Sequence, residues 1–288
     1  MKDFCVITTA NNKGGVGKTM LSKTLGEYAA MILGKRVLVI DLDPQTNLSR
    51  RYLDMQLLSD GSEDFAPPRH PEWTTSDKDW NGFSSSAEIW FSGEAVPYPT
   101  SVERMDILPA HAQLLADVEL VNKQDVYIKV VRRLRDFLFL PDVRSAYDIV
   151  VIDTRPSKGP LTTAALNAST HLVIPTEMEA PSVEGLFGMI ALRNNINISR
   201  SREDQLAIIG ILPNKLQQST QVHREHMELL ANDPNIAPYI LPASVGYRTD
   251  YKKSMYREAG SIFNFPPSNK ARQEIEEVCK IIFDRVYK

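Results

Sequence analysis

Apolar positions fall along this chain in short continuous runs, each followed by a longer stretch with apolar residues at helical spacing. Residues 4–10 (FCVITTA) form a β-branched run that enters a glycine-rich loop, and residues 18–33 then carry the helical period. Residues 36–40 (RVLVI) and 147–152 (YDIVVI) are apolar throughout and end in Asp41 and Asp153. Such runs suit parallel strands buried on both faces, with functional groups at their carboxyl ends. Residues 171–175 (HLVIP) and 206–212 (LAIIGIL) repeat the pattern, each with a helical stretch behind it. Strands alternating with helices predict an α/β fold, a doubly wound and mainly parallel sheet flanked by helices.

One stretch breaks this rhythm. Residues 54–99 are rich in Pro, Ser, Gly, Trp and acids, and they read as an acidic surface insertion. Trp73, Trp80 and Trp90 are costly to leave in water, so they are expected to fold the insertion back onto its own domain; docking to a partner is the second reading. With no repeat and no linker, residues 1–288 are expected to form one domain bearing that insertion.

Composition narrows the classes. A formal net charge of -3 provides no global attraction to nucleic acid or anionic membrane, so any such contact requires a local patch. The two cysteines, Cys5 and Cys279, are too far apart in sequence to suggest a zinc site or a disulfide framework, and they read as core thiols of a cytoplasmic protein. No apolar run reaches membrane-spanning length, and the N-terminus lacks a signal-peptide pattern.

The chemistry lies in "NNKGGVGKTM", residues 11–20. Glycines at 14, 15 and 17 let backbone N–H groups point at a phosphate, and the following helix adds the positive end of its dipole. Lys18 supplies charge to the β- and γ-oxygens, and Thr19 a hydroxyl for Mg²⁺. A regular phosphate loop would place its first glycine at position 12, where this chain has Asn12; it has instead a second lysine, Lys13. Hydrolysis further requires acids beside the γ-phosphate, for which Asp41, Asp43 and Asp153 are the candidates. Asp43 lies before Pro44 and fits a turn equally well.

On these residues the sequence resembles the ParA/MinD family of deviant-Walker P-loop ATPases. KGGVGKT (13–19) resembles its signature loop, DLDPQTN (41–47) its second motif, and IVVIDTRPS (149–157) its Walker B strand and switch; VIPTEMEAPSVEGL (173–186) and GILPNK (210–215) are fainter echoes. The resemblance implies ATP and Mg²⁺ as cofactors, with Gly14, Gly15, Val16, Gly17, Lys18, Thr19 and Met20 holding the nucleotide and Asn214 beside the adenine. It implies that Thr19, Asp41 and Asp153 serve the metal and Asp43 orients the attacking water. It also implies a homodimer closed around two nucleotides, in which Lys13 reaches the partner subunit's phosphates. A unit charge pair at 4 Å is worth roughly 4 kcal/mol at an effective dielectric of 20, before desolvation. Lys13 as a solvated loop residue, or as one that serves its own subunit's phosphates, is the competing reading.

Where many relatives have two prolines after the Walker B aspartate, this chain has Arg155 before Pro156. No helix-turn-helix precedes the first strand in this sequence, and DPQTN is closer to the DNA-partition branch than to the membrane-bound branch. The expected role is therefore a nucleoid-associated partition ATPase that binds double-stranded DNA without sequence preference and is stimulated by a ParB-like or other cargo adaptor. Arg248, Lys252, Lys253 and Arg257, with Lys270 and Arg272 beyond, are the candidate DNA contacts, although a short charge run is ordinarily a solvated face. A MinD-like positioning ATPase would need an amphipathic membrane helix, and residues 271–288 equally describe a final helix packed on the sheet. A metabolic ATP-dependent enzyme or a nitrogenase-type reductase is the other alternative; Cys5 and Cys279 do not suit the reductase's cluster.

Overall fold

The computed structural model describes residues 4–58, 61, 63–217 and 219–288. Seven strands form one sheet: β1 (Cys5–Thr9), β2 (Val37–Asp41), β5 (Tyr98–Pro99), β6 (Met105–Leu108), β7 (Ile149–Asp153), β8 (His171–Thr176) and β9 (Ala207–Pro213). The remaining two, β3 (Gln56–Leu57) and β4 (Phe65–Ala66), pair as a separate antiparallel hairpin. The sheet order is β5-β6-β2-β7-β1-β8-β9, and every pairing is parallel except that of the edge strand β5 with β6. Strand order that leaves and re-enters the centre is the doubly wound pattern expected from the sequence.

The helices are α1 (Lys18–Met31), α2 (Ser49–Tyr52), α3 (Ala112–Glu119), α4 (Gln124–Leu138) and α5 (Pro141–Ala146) in the first half. The second half contributes α6 (Pro160–Ala168), α7 (Ala180–Ile198), α8 (Gln221–Asn232), α9 (Thr249–Ser254) and α10 (Lys270–Val286). Successive strand residues point to opposite faces, which explains why the central runs are apolar throughout. Ile7, Val39 and Val151 pack with α1 and α10 on one face, whereas Val6, Ile40 and Ile152 pack with α3, α4 and α6 on the other. α10 buries Ile275, Val278, Ile282 and Phe283 in the first of these cores, so its apolar stripe is spent on the fold. Among the described residues no helix is long and apolar enough to cross a membrane. Cys5 and Cys279 are both buried free thiols.

Register sets the site. Asp153 lies level with Thr9 on one side and Asp41 on the other, so the carboxyl ends of β1, β7 and β2 bring these three side chains to one edge.

The 54–99 stretch is tied down from within. Trp73 Nε1 donates to the Trp80 carbonyl at 2.9 Å, Trp80 Nε1 to Phe83 at 3.0 Å, and Trp90 Nε1 to Val130 on α4 at 2.9 Å. Its last residues, Tyr98 and Pro99, are not loop at all but the antiparallel edge strand of the main sheet.

Candidate active site

Between β1 and α1 the chain wraps into a loop whose shape depends on two left-handed residues, Gly15 (φ 81°) and Gly17 (φ 91°). At Gly17 space forbids a side chain as well, because a Cβ would stand 2.2 Å from Asn214 Nδ2. That amide donates to the Val16 carbonyl at 2.6 Å, and Lys215 Nζ donates to the Gly15 carbonyl at 2.6 Å while pairing with Glu177 at 2.8 Å. From the other side Asn11, buried beneath the loop, accepts from Lys13 N at 2.9 Å and donates to the Pro175 carbonyl at 2.9 Å. These contacts hold two loop carbonyls away from the cleft, an arrangement that suits amides directed at an anion.

The two loop lysines differ sharply. Lys18 is only 6% exposed, and its ammonium donates to the Lys13 carbonyl at 3.2 Å. Burial pulls its pKa below the ordinary lysine range, while Asp153 and then Asp43 pull it back up. Lys13 is exposed, and its ammonium has no hydrogen bond or ion pair among the described residues.

A cavity of about 830 Å³ opens over the loop, lined there by Gly14, Gly15, Gly17, Lys18, Thr19 and Met20, and facing them by Asp43. Asp43 Oδ1 accepts from Gln45 N at 3.0 Å, so the aspartate makes the turn before Pro44 and also faces the cavity. Asp41 has a different job. Its Oδ1 accepts from Asp43 N at 3.0 Å, and its Oδ2 from Ser49 N at 2.9 Å and Ser49 Oγ at 2.7 Å. With both oxygens satisfied by protein donors, Asp41 braces the 41–49 segment and is not among the cavity's lining residues.

Asp153 is the reverse case. It is 0% exposed; Oδ1 accepts from Ser22 Oγ at 2.9 Å, but Oδ2 has no hydrogen-bond partner among the described residues. Burial pushes this carboxyl up to about 8, the charges of Asp41 and Asp43 push the same way, and the Thr19 and Ser22 hydroxyls oppose them. A buried carboxylate with an unsatisfied oxygen beside a threonine hydroxyl fits a divalent cation held partly through water. Among the described residues no group of three or more His, Cys, Asp or Glu side chains could hold a metal ion by itself.

Asn214 is 1% exposed and stands apart from the large cavity. It lines a smaller one of about 110 Å³ together with Met20, Tyr247 and Tyr251. The basic stretch is not a separate face. Arg248 and Lys252 line this smaller cavity, and Arg257 lines the larger. Arg248 pairs with Glu274 at 2.5 Å, Lys252 lies over the Tyr247 ring, and Arg257 approaches Asp54 at 3.9 Å. Lys253, 69% exposed, has only Asp250, at 4.0 Å, as an ion-pair partner among the described residues. Lys270 opens α10, and Arg272 pairs with Glu276 at 3.5 Å.

Arg155 is not among the residues that line the cavity, although its neighbour Pro156 is. It pairs at 3.6 Å with Glu119 of α3, which also accepts from Ser157 Oγ at 2.7 Å and Leu161 N at 3.2 Å. Glu119 thus holds the 155–161 switch. Asn11 and Lys215 adjoin motif residues in the sequence, whereas nothing local marks Glu119.

Comparison with known proteins agrees with this geometry. A family model described as an AAA domain matches residues 4–208. The chromosome-partitioning ATPase Soj of Thermus thermophilus is 31% identical over 210 residues, covering 72% of this chain and 67% of its own. The chain belongs to the ParA/MinD-type P-loop ATPases. As such it is an ATPase. The virulence plasmid ParA family protein pGP5-D of Chlamydia psittaci is 28% identical over 275 residues, 96% of this chain and 93% of that one. In fold the chain also matches the cobyrinic acid a,c-diamide synthase of Mycobacterium smegmatis solved with a bound ATP analogue and magnesium. There the TM-score is 0.70 at 21% identity, over 99% of this chain and 96% of the other. A partition-type relative and a biosynthetic enzyme on one fold show that the scaffold alone does not select the task.

Proposed function

We propose that this ATPase works as a partition motor whose two copies close around two Mg²⁺–ATP molecules. The observation that supports this is the contrast between the buried Lys18 and the exposed, unpaired Lys13 on one loop. Lys18 meets the β- and γ-phosphates of its own nucleotide, together with amides of residues 14–20. Lys13 has its charge free for the partner subunit's phosphates, which would otherwise repel across the interface. Thr19 and Asp153 hold Mg²⁺, the latter through its unsatisfied oxygen. Bound magnesium neutralises charge that develops on the transferred phosphoryl group. Asp43, whose second oxygen has no hydrogen bond among the described residues and which faces the cavity, orients the attacking water. Asp41 supports that aspartate's backbone rather than the ion. The adenine lies against Met20 and the tyrosines of the smaller cavity, with Asn214 fixing the loop beside it.

The names of the Thermus and Chlamydia relatives favour partition over a biosynthetic reaction. In this reading the ATP-bound dimer travels on double-stranded DNA through charge alone, and an adaptor on the cargo triggers hydrolysis. Among the four candidate cations, Lys253 is the one with most freedom for phosphate contact. Such binding weakens steeply with salt.

Sedimentation with a slowly hydrolysed ATP analogue tests the core of it. Wild type should form dimers with the analogue and not with ADP, while Lys13→Ala should bind nucleotide yet remain monomeric. Analogue-dependent dimers of Lys13→Ala would refute the assignment. DNA pelleting that requires ATP distinguishes partition from flotation on anionic liposomes, the outcome expected of a membrane-positioning ATPase.

A further inference from the structure

The 54–99 insertion reaches the nucleotide cleft. Phe65 on β4 lines the same cavity as Lys18, Thr19 and Asp43, and so does Arg50 on α2. The Arg50 guanidinium carbon lies 4.5 Å from the centroid of the Phe65 ring. Its neighbour Arg51 shows what a structural arginine does here. Arg51 is buried, donating to the Ser254 carbonyl at 3.1 Å and the Arg257 carbonyl at 3.3 Å, with Glu27 at 3.8 Å. Arg50 is exposed and has no carboxylate partner among the described residues. The other charged groups on this cavity besides Lys18, Arg50 and Arg51 are Asp43, Asp54, Arg257 and Glu258, and Asp54 is turned to Arg257 at 3.9 Å.

A guanidinium stacked on an aromatic face keeps its plane fixed and its N–H edge available, which suits it to phosphate oxygens more than a free side chain would be. We propose that Arg50 is a further catalytic residue of the ATPase, a cation that meets the nucleotide's terminal phosphate from within the same subunit, and that Phe65 is its positioning residue. The insertion thereby sets the turnover rate: its hairpin carries the platform on which the arginine rests. Arg50 donates to oxygens whose charge grows as the γ-phosphoryl group leaves ADP for water, and it transfers no proton. This rests on the reading that ATP fills the cleft over the loop.

The test measures kcat, KM and the ratio of affinities for a slowly hydrolysed ATP analogue and for ADP. Arg50→Ala should lower kcat about 100-fold and reduce the preference for the triphosphate, with KM changed far less. Arg50→Lys keeps the charge but not the planar fork, and should recover only part of the rate. Phe65→Leu should cost about two- to fivefold in kcat, and Arg50→Ala with Phe65→Leu should be no slower than Arg50→Ala alone, since the ring acts only through the arginine. An Arg50→Ala protein with wild-type kcat and wild-type nucleotide preference would overturn the inference; so would additive losses in the double variant. Lys18→Ala run in parallel separates the two levels. If it abolishes nucleotide binding while Arg50→Ala is silent, the cleft reading stands and only this inference falls; if it binds ATP normally, the cleft reading falls first.

Discussion

Two segments of this chain are crowded with cations, residues 13–19 and residues 248–257, and the fold treats them differently. In the first, Lys18 is buried against its own loop's carbonyl and Lys13 has no partner among the described residues. In the second, Arg248 is matched to Glu274, Lys252 to a tyrosine ring and Arg257 to Asp54, and Lys253, 69% exposed with Asp250 at 4.0 Å, is the exception. A cation whose charge is already answered inside the chain has little left for a ligand. A solvent-exposed cation with no partner inside the chain keeps its charge available to an incoming anion. On that measure the phosphate loop keeps the freer charge, and Arg248, Lys252 and Arg257 are held mainly by contacts within the chain.

The contrast can be broken most forcefully at Lys18. Lys18→Ala should lower ATP hydrolysis by more than about 100-fold through lost charge at the phosphates, measured as phosphate release, with little change in thermal stability. Asp43→Ala should cut kcat by about 100-fold while a fluorescent ATP analogue still binds; loss of binding instead would mean that the residue serves the turn more than the water. Arg248→Ala belongs to the other class. Its pair with Glu274 is partly exposed, so about 1 kcal/mol of stability should be lost, read as a lower melting temperature with kcat close to wild type. Burial alone would raise the Glu274 carboxyl, but hydrogen bonds from Arg248 and the Gly246 amide bring it below its ordinary value. A depressed folded pKa contributes stability present above the unfolded pKa and lost as pH falls through the folded one. The wild type should therefore lose stability on acidification below the ordinary glutamate range, and Arg248→Ala should lose less over that interval.

The smallest effect is expected at Thr46. This β-branched residue is held at φ 55°, and its buried hydroxyl has no partner among the described residues. Thr46→Gly should gain about 1 kcal/mol by releasing that strain, visible as a raised denaturation midpoint. A loss of stability would show that the threonine packs better than its backbone suggests.

Contiguous features were readable in advance. The apolar runs ending in Asp41 and Asp153, and the glycine loop between a strand and a helix, are local patterns, and the sheet register brings their ends together as the pattern requires. What escaped reading depends on contacts between residues remote in sequence. Lys215 reaches the Gly15 carbonyl across 200 positions, and Arg248 finds Glu274 across 26. Asp41 and Asp43 look equivalent in DLDPQTN, and only the donors from Ser49 and the Asp43 amide set the first apart, with both of its oxygens hydrogen-bonded. The insertion's composition predicted an excursion, but not that Phe65 would line the cavity over the glycine loop or that Tyr98 and Pro99 would extend the main sheet.

The account depends most on where Lys13 points once nucleotide is bound. A crystal structure of the Asp43→Ala protein with ATP and Mg²⁺ measures this directly. The account predicts a two-fold dimer with each Lys13 Nζ about 3 Å from a phosphate oxygen of the partner subunit's nucleotide. A monomer, or a dimer with the lysine in solvent and the two nucleotides far apart, would contradict it.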